Sequence, residues 1–385
     1  MKRTDVIIIG AGPAGSWLGF RLAQAGIDSV ILEKEEFPRY KACGGGLSLK
    51  TTEFLPFSIE EVTERSMTGV WIRYRKKQVL ISDIGPVGVM VMRDAFDNLL
   101  VKKYLEVGGH FNSGVSITHI DETKDNCHIQ TENESWQGKI LVGADGVSSF
   151  VRRACGFGGH QKLLVALAAE IKVPSEAMQM LGDRAYFDLN AIPDGYGWVF
   201  PKRNHLSIGV FTHRRGLDLN ALLKTFCQTH PLLRDGGIFL TQGGALPVGG
   251  YPRPVQKGRV LLIGDAAATV EPFLGEGIYH ALLSADIAAD AIIGHLKYRR
   301  SLQVYAERFV KTIDKNIIRA NRLARSFYQH LPWTFPLGVQ NRIIARGFAR
   351  EAIGKSDFSG WIRYCLWRLP LIPFAYRKGQ MRKKL

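Results

Sequence analysis

The chain has 385 residues, of which 46% are hydrophobic and 22% charged; this excludes a disordered chain, a fibrous protein and a mini-protein that depends on disulfide bonds. Lysine and arginine number 51 against 35 aspartates and glutamates, a formal charge of +16, so an anionic partner is expected: nucleic acid, membrane lipid or an acidic protein. Five cysteines without CxxC spacing argue against zinc ribbons and a disulfide framework and favour a reducing compartment.

The chain opens with a predicted strand, glycine turn, helix and second strand. Residues 5–9 predict a buried strand, 17–25 a helix that stops at Gly26, and 29–33 the next strand. The basic start and the apolar stretch that follows imitate a secretory signal, but Asp5 and the glycine pattern argue against one. No uninterrupted apolar run of about 18 residues exists, so we expect no transmembrane helix.

The middle and the end of the chain predict two further architectures. Strands are expected near 70–82 and through 110–143, with an amphipathic helix over 93–107 between them. Residues 160–255 predict an antiparallel sheet with one helix at 217–228. A buried strand is expected again at 260–263, and it belongs to the same unit as the predicted strands at the start of the chain. Helices are expected at 276–296 and, as one long amphipathic element, at 301–329.

The strongest local motif is the glycine turn Gly10-Ala11-Gly12-Pro13-Ala14-Gly15, which matches GxGxxG between a strand and a helix. In this pattern the first glycine permits a tight turn, the second lets the backbone approach a pyrophosphate, and the third allows close packing of helix and strand. Glu33 ends the second strand, where its carboxylate can accept from a ribose hydroxyl. A glutamate there disfavours a 2′-phosphate, so the turn predicts FAD or NAD rather than NADP.

Two later motifs separate FAD from NAD. Gly143-Ala144-Asp145-Gly146 and Ile263-Gly264-Asp265-Ala266-Ala267 each follow a strand, and Pro272-Phe273-Leu274-Gly275-Glu276-Gly277 leads into a helix. An aspartate at a strand end can hold a ribityl hydroxyl, and a helix N-terminus can face the flavin pyrimidine oxygen. Each motif alone is also typical of a turn at the end of a strand.

Together, in this order, the three motifs resemble the FAD-binding fold of the aromatic hydroxylase and geranylgeranyl reductase superfamily, over nearly the whole chain. The resemblance implies a mixed α/β fold: a Rossmann-like FAD-binding domain with an inserted antiparallel substrate domain and a helical C-terminal region. Arg93 stands where the superfamily places an arginine on the cofactor, although a helix often starts with an exposed arginine. The implied FAD-contacting set is Gly10, Gly12, Pro13, Ala14, Gly15, Glu33, Lys34, Cys43, Gly44, Gly45, Gly46, Arg93, Asp145, Asp265, Gly275, Gly277 and Ile278; no metal ligands are predicted.

The segment 38–47 makes the resemblance specific to one family within this superfamily. Cys43 precedes three consecutive glycines, which leave the backbone bare enough for a flat ring to lie against it. This arrangement resembles the cysteine that geranylgeranyl reductases place beside the flavin. The alternative is a flexible linker with a buried thiol.

A second family motif lies in the predicted antiparallel sheet. Tyr196-Gly197-Trp198-Val199-Phe200-Pro201 resembles the YxWxFP motif that lines the substrate cavity of these reductases. Alternation along a strand puts Tyr196, Trp198 and Phe200 on one face, as it would in an ordinary core strand. The family continues with GxG, of which Gly209-Val210-Phe211 keeps only the first glycine.

The C-terminal 45 residues are basic and aromatic. Residues 341–385 hold eleven Lys or Arg against two Asp or Glu. Interfacial aromatics accompany them: Trp361, Tyr364, Trp367, Phe374 and Tyr376. Such a mixture favours a membrane-surface segment over a nucleic-acid site, with a solvated basic tail as the alternative.

These observations predict an FAD-dependent reductase of prenyl double bonds, cytoplasmic and peripheral on the membrane, with a prenylated lipid-like substrate. We expect functional domains at 1–159 and 256–300 for FAD, 160–255 for substrate and 301–385 for the helical basic region. Cys43, Tyr196 and Trp198 are the expected catalytic-pocket residues, and Phe200 is a further substrate contact. Electrons are expected from NAD(P)H or from reduced ferredoxin, an acidic carrier protein that would suit the positive charge.

Two other functions share the FAD motifs. The first is a flavin monooxygenase of an aromatic or polyketide substrate, which would consume oxygen; a halogenase is disfavoured because its WxWxIP motif is not matched. The second is a non-catalytic membrane flavoprotein, which would bind FAD and lipid but leave prenyl chains unsaturated.

Overall fold

The computed structural model describes residues 1–158, 162–355, 358–368 and 375. The segment 369–374 and Tyr376, part of the predicted membrane-surface region, lie outside these residues. Among the described residues the strands are β1 Lys2–Ile9, β2 Ser29–Leu32, β3 Gly46–Ser48, β4 Thr63–Met67, β5 Gly69–Tyr74, β6 Lys77–Ile81, β7 Gly88–Val91, β8 His110–Asn112, β9 Ile117–Glu122, β10 Cys127–Thr131, β11 Ser135–Gly143, β12 Lys162–Lys172, β13 Arg184–Asp188, β14 Gly195–Pro201, β15 Leu206–Thr212, β16 Gly237–Val248, β17 Gln256–Lys257 and β18 Val260–Leu262.

The α-helices alternate with these strands at first and then follow one another to the end of the described chain. They are α1 Pro13–Gln24, α2 Leu49–Phe54, α3 Arg93–Glu106, α4 Phe150–Ala154, α5 Ser175–Leu181, α6 Leu219–Thr229, α7 Ile278–Tyr298, α8 Gln303–Phe309, α9 Lys315–Gln329, α10 Leu331–Phe335, α11 Arg342–Ala352 and α12 Phe358–Leu366. In the described part of the chain, none of these helices is both long and apolar enough to cross a bilayer.

The chain forms two compact units. Unit 1 comprises Met1–Tyr40, Asp94–Leu163 and Leu246–Asn321, and unit 2 comprises Lys41–Arg93, Leu164–Ala245 and Arg322–Leu385. The functional domains expected from the sequence are a separate division and stay a prediction.

Unit 1 is built on a parallel sheet in the order β18-β11-β1-β2-β8. The sequence forms this sheet because β1 ends in the β-branched run Val6–Ile9, whose side chains are all at most 6% exposed. Helix α1 starts at Pro13, whose fixed φ suits a first helical position. Gly26, at φ +68°, then turns the chain back towards β2. This is the predicted strand–turn–helix–strand opening.

Unit 2 contains a seven-stranded sheet in the order β16-β12-β15-β14-β13-β5-β6 and a small sheet of β3, β7 and β4. The pairs along β12-β15-β14-β13 are antiparallel, whereas β13 pairs with β5 in parallel. Two strands of the large sheet, β5 and β6, therefore come from outside the predicted 160–255 segment. The two sheets and the terminal helices confirm the predicted mixed α/β fold.

One strand was missed, and one predicted helix was wrong in detail. The glycine-containing strand β16 was not predicted, because glycine and proline interrupt its apolar pattern. The long helix over 301–329 is interrupted by a π-helical turn at Val310–Asp314. The extra residue in that turn rotates Val310 outwards, to 48% exposure, and turns Asp314 into the core at 7%.

Candidate functional site

The carboxyl ends of the parallel strands of unit 1 carry most of the predicted cofactor residues. The GxGxxG turn follows β1, Glu33 follows β2, and Asp145 follows β11. Main-chain hydrogen bonds hold these ends together, from Ala144 N to the Ile9 oxygen at 2.8 Å and from Gly10 N to the Leu32 oxygen at 2.9 Å. Because β1 continues to β2 on one side and pairs with β11 on the other, this edge is the topological switch point at which such sheets bind ligands.

The glycine turn is fixed by its own packing. A Cβ on Gly10 would lie 2.5 Å from the Ala144 oxygen, and one on Gly15 would overlap the Gly10 oxygen. A Cβ on Gly12, by contrast, would meet no atom of the described residues within 4 Å. The first N–H groups of α1 have no partner within the helix and no side chain caps it. Open space over these donors fits a pyrophosphate.

Glu33 is buried and braces the turn. Its carboxylate accepts from Ala11 N at 2.8 Å and from Glu35 N at 3.0 Å. Lys34 next to it is exposed and pairs with Glu35 at 3.4 Å. A carboxylate held in place by two backbone donors keeps lone pairs for a ribose hydroxyl.

Asp145 carries an unsatisfied buried oxygen. Oδ2 accepts from Phe150 N at 2.6 Å and Val151 N at 3.1 Å. Oδ1 is buried and, among the described residues, has no hydrogen-bond partner. Burial, partly offset by hydrogen bonds from Ser149 and the backbone, raises the pKa of this carboxyl. A ligand hydroxyl that donates a hydrogen bond to Oδ1 would satisfy this oxygen.

The later FAD motif forms a turn that leads to a long helix. Asp265 lies in the 3₁₀ turn Gly264–Ala267, and Gly264 N donates to Ser284 Oγ at 2.9 Å. Helix α7 begins at Ile278 with Gly277 as its uncapped N-terminal neighbour. The Glu271 carboxylate accepts from Phe273 N at 2.6 Å and Leu274 N at 2.8 Å, which orders the loop containing Gly275. The motif therefore presents an uncapped helix N-terminus that follows an aspartate turn.

Sequence reasoning missed Arg253, which holds this turn. Its guanidinium, with a side chain only 3% exposed, donates to the oxygens of Ala267 at 2.7 Å and Ala268 at 2.9 Å. It also pairs with Asp314 at 3.0 Å, the residue that the π-helical turn directs inwards. An arginine in a loop gives no sequence signal for contacts to residues 14 and 61 positions away.

The strand ends and helix starts of unit 1 fit FAD. An open helix N-terminus, a braced carboxylate and an orphaned carboxylate oxygen suit a pyrophosphate, a ribose and a polyol chain respectively. Pro13 and Ala14 lie in the first turn of α1, and Ile278 in that of α7. None of the described residues forms a cluster of three or more His, Cys, Asp or Glu that could hold a metal ion.

The predicted Cys-Gly-Gly-Gly loop belongs to unit 2. The Cys43 sulfur accepts from Gly45 N at 3.3 Å, and the residue is half-buried. A Cβ on Gly44 would lie 2.9 Å from the Phe200 ring and 3.2 Å from Trp198 Nε1. Gly46 is exposed, and Arg93, half-buried, starts α3. The structure thus brings the glycine loop and the aromatic motif together.

The aromatic motif forms a continuous wall on one face of β14, which we call the aromatic row. Tyr196 and Trp198 are each 6% exposed, and Trp198 Nε1 has no hydrogen-bond partner among the described residues. Ring centroids lie 6.5 Å apart for Tyr196–Trp198 and 6.3 Å for Trp198–Phe200. Phe187, missed from the sequence, lies edge-on to Tyr196 and Phe200 at 5.1 and 5.3 Å.

The partial GxG motif now has a physical explanation. Gly209 pairs with Trp198, and a Cβ there would overlap the indole ring. Phe211 stands at the second glycine position, pairs with Tyr196 and packs on its ring at 5.1 Å. The first glycine makes room for Trp198, while Phe211 fills space at the Tyr196 end of the aromatic row.

The described C-terminal aromatics differ in exposure. Trp361 packs on Phe348 at 5.5 Å, and Arg368 covers the Tyr364 ring at 4.0 Å. Trp367 is 84% exposed and Trp333, which sequence reasoning missed, is 81% exposed.

Comparisons with known proteins agree with this geometry. A family model described as "FAD binding domain" matches residues 3–208. Geranylgeranyl diphosphate reductase of Oryza sativa is 30% identical over 76% of this chain and 67% of its own. Digeranylgeranylglycerophospholipid reductase 1 of Methanopyrus kandleri is 28% identical over 85% and 90% of the two chains.

Two solved structures share the fold. A geranylgeranyl bacteriochlorophyll reductase-like protein of Thermoplasma acidophilum has a TM-score of 0.79 at 20% identity, over 97% of this chain and 98% of its own. The flavin-dependent brominase Bmp2 has a TM-score of 0.78 at 20% identity, over 97% and 99%. At these identities the likeness establishes the fold alone, and this fold serves both reductases and halogenases.

Proposed function

Because the chain belongs to the geranylgeranyl reductase family of FAD-dependent oxidoreductases, we propose that it reduces carbon–carbon double bonds in the prenyl chain of a lipid-like substrate. The observation that carries this proposal is the aromatic row beside the glycine loop in unit 2. An apolar wall without a charged side chain in its row suits a hydrocarbon chain, and the bare loop suits a flat ring.

Each unit has a distinct task in the proposed reaction. When bound, FAD supplies the hydride that adds to one alkene carbon. In unit 1, the N-terminus of α1, Glu33 and Asp145 bind and orient the dinucleotide. In unit 2, Tyr196, Trp198 and Phe200 exclude water and hold the chain, while Cys43 shapes the loop through its contact with Gly45 N. The second alkene carbon takes a proton that comes ultimately from water, so each reduced double bond consumes one hydride and one proton.

The test is a product analysis. The anaerobic, FAD-loaded protein would be reduced with dithionite and incubated with geranylgeranylated glycerophospholipid, quinone or diphosphate. Mass spectrometry should show a gain of two mass units per reduced bond, and apoprotein should give none. No gain in substrate mass, with a holoprotein whose flavin is fully reducible, would favour a monooxygenase or a non-catalytic flavoprotein instead.

The electron donor is part of the same proposal. NAD(P)H or an acidic carrier such as ferredoxin would supply electrons, and the charge of +16 favours the carrier. Stopped-flow mixing with NADPH, NADH and reduced ferredoxin would separate them. Rapid flavin bleaching by NADPH alone would remove the requirement for a carrier.

We also propose that the basic C-terminal region contacts an anionic membrane surface. The exposed Trp333 and Trp367 supply interfacial aromatics, and the arginines of α11 and α12 supply charge. Trp333→Ala with Trp367→Ala should reduce sedimentation with vesicles containing phosphatidylserine. Equal binding of wild type and variant would contradict this part of the proposal.

A further inference from the structure

Lys202 is a lysine buried in unit 2. It directly follows the Tyr196–Pro201 motif and is 0% exposed. Its Nζ donates to two main-chain oxygens, that of Gly44 at 2.9 Å and that of Val91 at 2.7 Å. Burial of an ammonium group is strongly unfavourable unless hydrogen bonds replace its hydration. The two hydrogen bonds therefore hold the Lys202 side chain in this position.

The two acceptors belong to different segments. Gly44 lies in the glycine loop, whereas Val91 ends β7, two residues before Arg93. The segments also bond to each other, because Val91 N donates to the Gly45 oxygen at 2.8 Å. Lys202 therefore ties the end of the aromatic strand to both.

Gly45 leaves no room for a side chain beside this ammonium group. Its φ is +67°, and a Cβ there would lie 2.5 Å from Lys202 Nζ and would overlap the Val91 oxygen. The central glycine of the loop is thus explained by close approach of the backbone to Lys202 and Val91. The loop is held in one conformation by a side chain 158 positions from Gly44 along the chain.

We propose that Lys202 is a positioning residue that clamps the Cys43–Gly46 loop and places a fixed positive charge behind it, which favours the reduced form of the bound flavin. The clamp half of this proposal, which is the holding of the loop, stands on the contacts above. The charge half, which is the effect on the flavin, rests on the proposed function because it requires the flavin to lie against this loop. Reduction adds negative charge to a flavin, and a nearby cation stabilises that charge.

The charge half is tested on the holoprotein. Lys202→Gln keeps a hydrogen-bond donor but removes the charge, Lys202→Met removes both, and Lys77→Met is the matched control. Lys77 is an exposed lysine of the same unit that donates to Gln340 at 3.2 Å. Flavin reduction in holoprotein freed of unbound FAD is equilibrated against a redox dye.

We expect both Lys202 variants to shift the reduction equilibrium at least tenfold towards oxidised flavin, about 30 mV for a two-electron couple. The control should match wild type. Folded Lys202→Gln protein with the wild-type equilibrium and a lower melting temperature would overturn the charge half. If Lys202→Met does not fold, Lys202→Gln and Lys202→Arg decide, because only the arginine should restore the potential.

The clamp half is tested on the apoprotein. Hydrogen exchange at the Gly45 and Val91 amides should quicken at least tenfold in Lys202→Met relative to Lys77→Met, while amides of β1 keep their protection. Unchanged exchange in the loop would overturn the clamp. Neither measurement uses a prenyl substrate, so a failure of prenyl reduction in wild type would leave both results interpretable.

Discussion

Two glycine-rich segments in this chain are shaped by different means. The turn Gly10–Gly15 in unit 1 is fixed by backbone atoms of adjacent strand ends, such as the Ala144 oxygen beside Gly10. The loop Cys43–Gly46 in unit 2 is fixed by the main chain of Val91 and, in addition, by three side chains from a distant part of the chain: Lys202, Trp198 and Phe200. The first conformation therefore depends mainly on main-chain atoms at the strand ends, which any sequence supplies, whereas the second also depends on particular side chains of unit 2.

Unit 1 also uses a buried cation, and its loss should have the largest effect. Arg253→Met would leave Asp314 buried without its guanidinium, a change that typically costs about 3–5 kcal/mol in the free energy of unfolding. Denaturant unfolding should show this loss together with weaker FAD retention. Arg308→Met removes an exposed pair with Asp290 and should cost at most about 1 kcal/mol; equal losses in the two variants would contradict a stabilising role for the buried Arg253–Asp314 pair.

The glycine turn gives the next test. Gly15→Ala would force a Cβ into the Gly10 oxygen and should cost about 1–3 kcal/mol in apoprotein stability. Gly12→Ala meets open space and should leave that stability within about 0.5 kcal/mol. It should still weaken FAD binding at least about tenfold, because the methyl group stands where the pyrophosphate approaches. FAD titration of a stable Gly12→Ala protein that binds like wild type would refute this placement.

This contrast explains what could be predicted from the sequence. The GxGxxG turn, Glu33 and Asp145 are strand-end features that need only a short segment to be read. The fold class followed from the same pattern and is confirmed. Lys202 and Arg253 act through contacts 111 to 158 and 14 to 61 positions away, and no local periodicity encodes such contacts.

Some features could be predicted from the sequence only in part. The aromatic row was predicted from alternation along β14, but Phe187 was not, because it comes from a neighbouring strand. The π-helical turn breaks a regular apolar pattern that favoured one continuous helix. The assignment of Cys43, Arg93 and the other proposed site residues to FAD or substrate stays a prediction.

Phe211 offers a test of specificity in unit 2. Phe211→Gly would open space beside Tyr196 and should change how many double bonds of a geranylgeranyl chain are reduced, with flavin content unchanged. Phe211→Leu is the control that keeps most of the volume. Lipid mass spectrometry with an identical product distribution for all three proteins would show that this end of the aromatic row does not set the extent of reduction.

The smallest expected effect is the pH dependence of Asp145. Its raised pKa means that the folded apoprotein binds a proton more readily than the unfolded chain. The group therefore lowers stability as the pH rises through the window from its ordinary value to its raised folded value. The stability of wild type relative to Asp145→Asn should accordingly increase when the pH falls through that window. Parallel stability curves for the two proteins would contradict the burial of this charge.

The most direct measurement is anaerobic re-oxidation of the reduced holoprotein by substrate. Flavin absorbance should recover on addition of a geranylgeranylated lipid, in proportion to the double bonds removed, and should stay bleached with the fully saturated analogue. A flavin that remains reduced with every prenyl substrate until oxygen is admitted would contradict prenyl reduction and indicate an oxygen-dependent reaction.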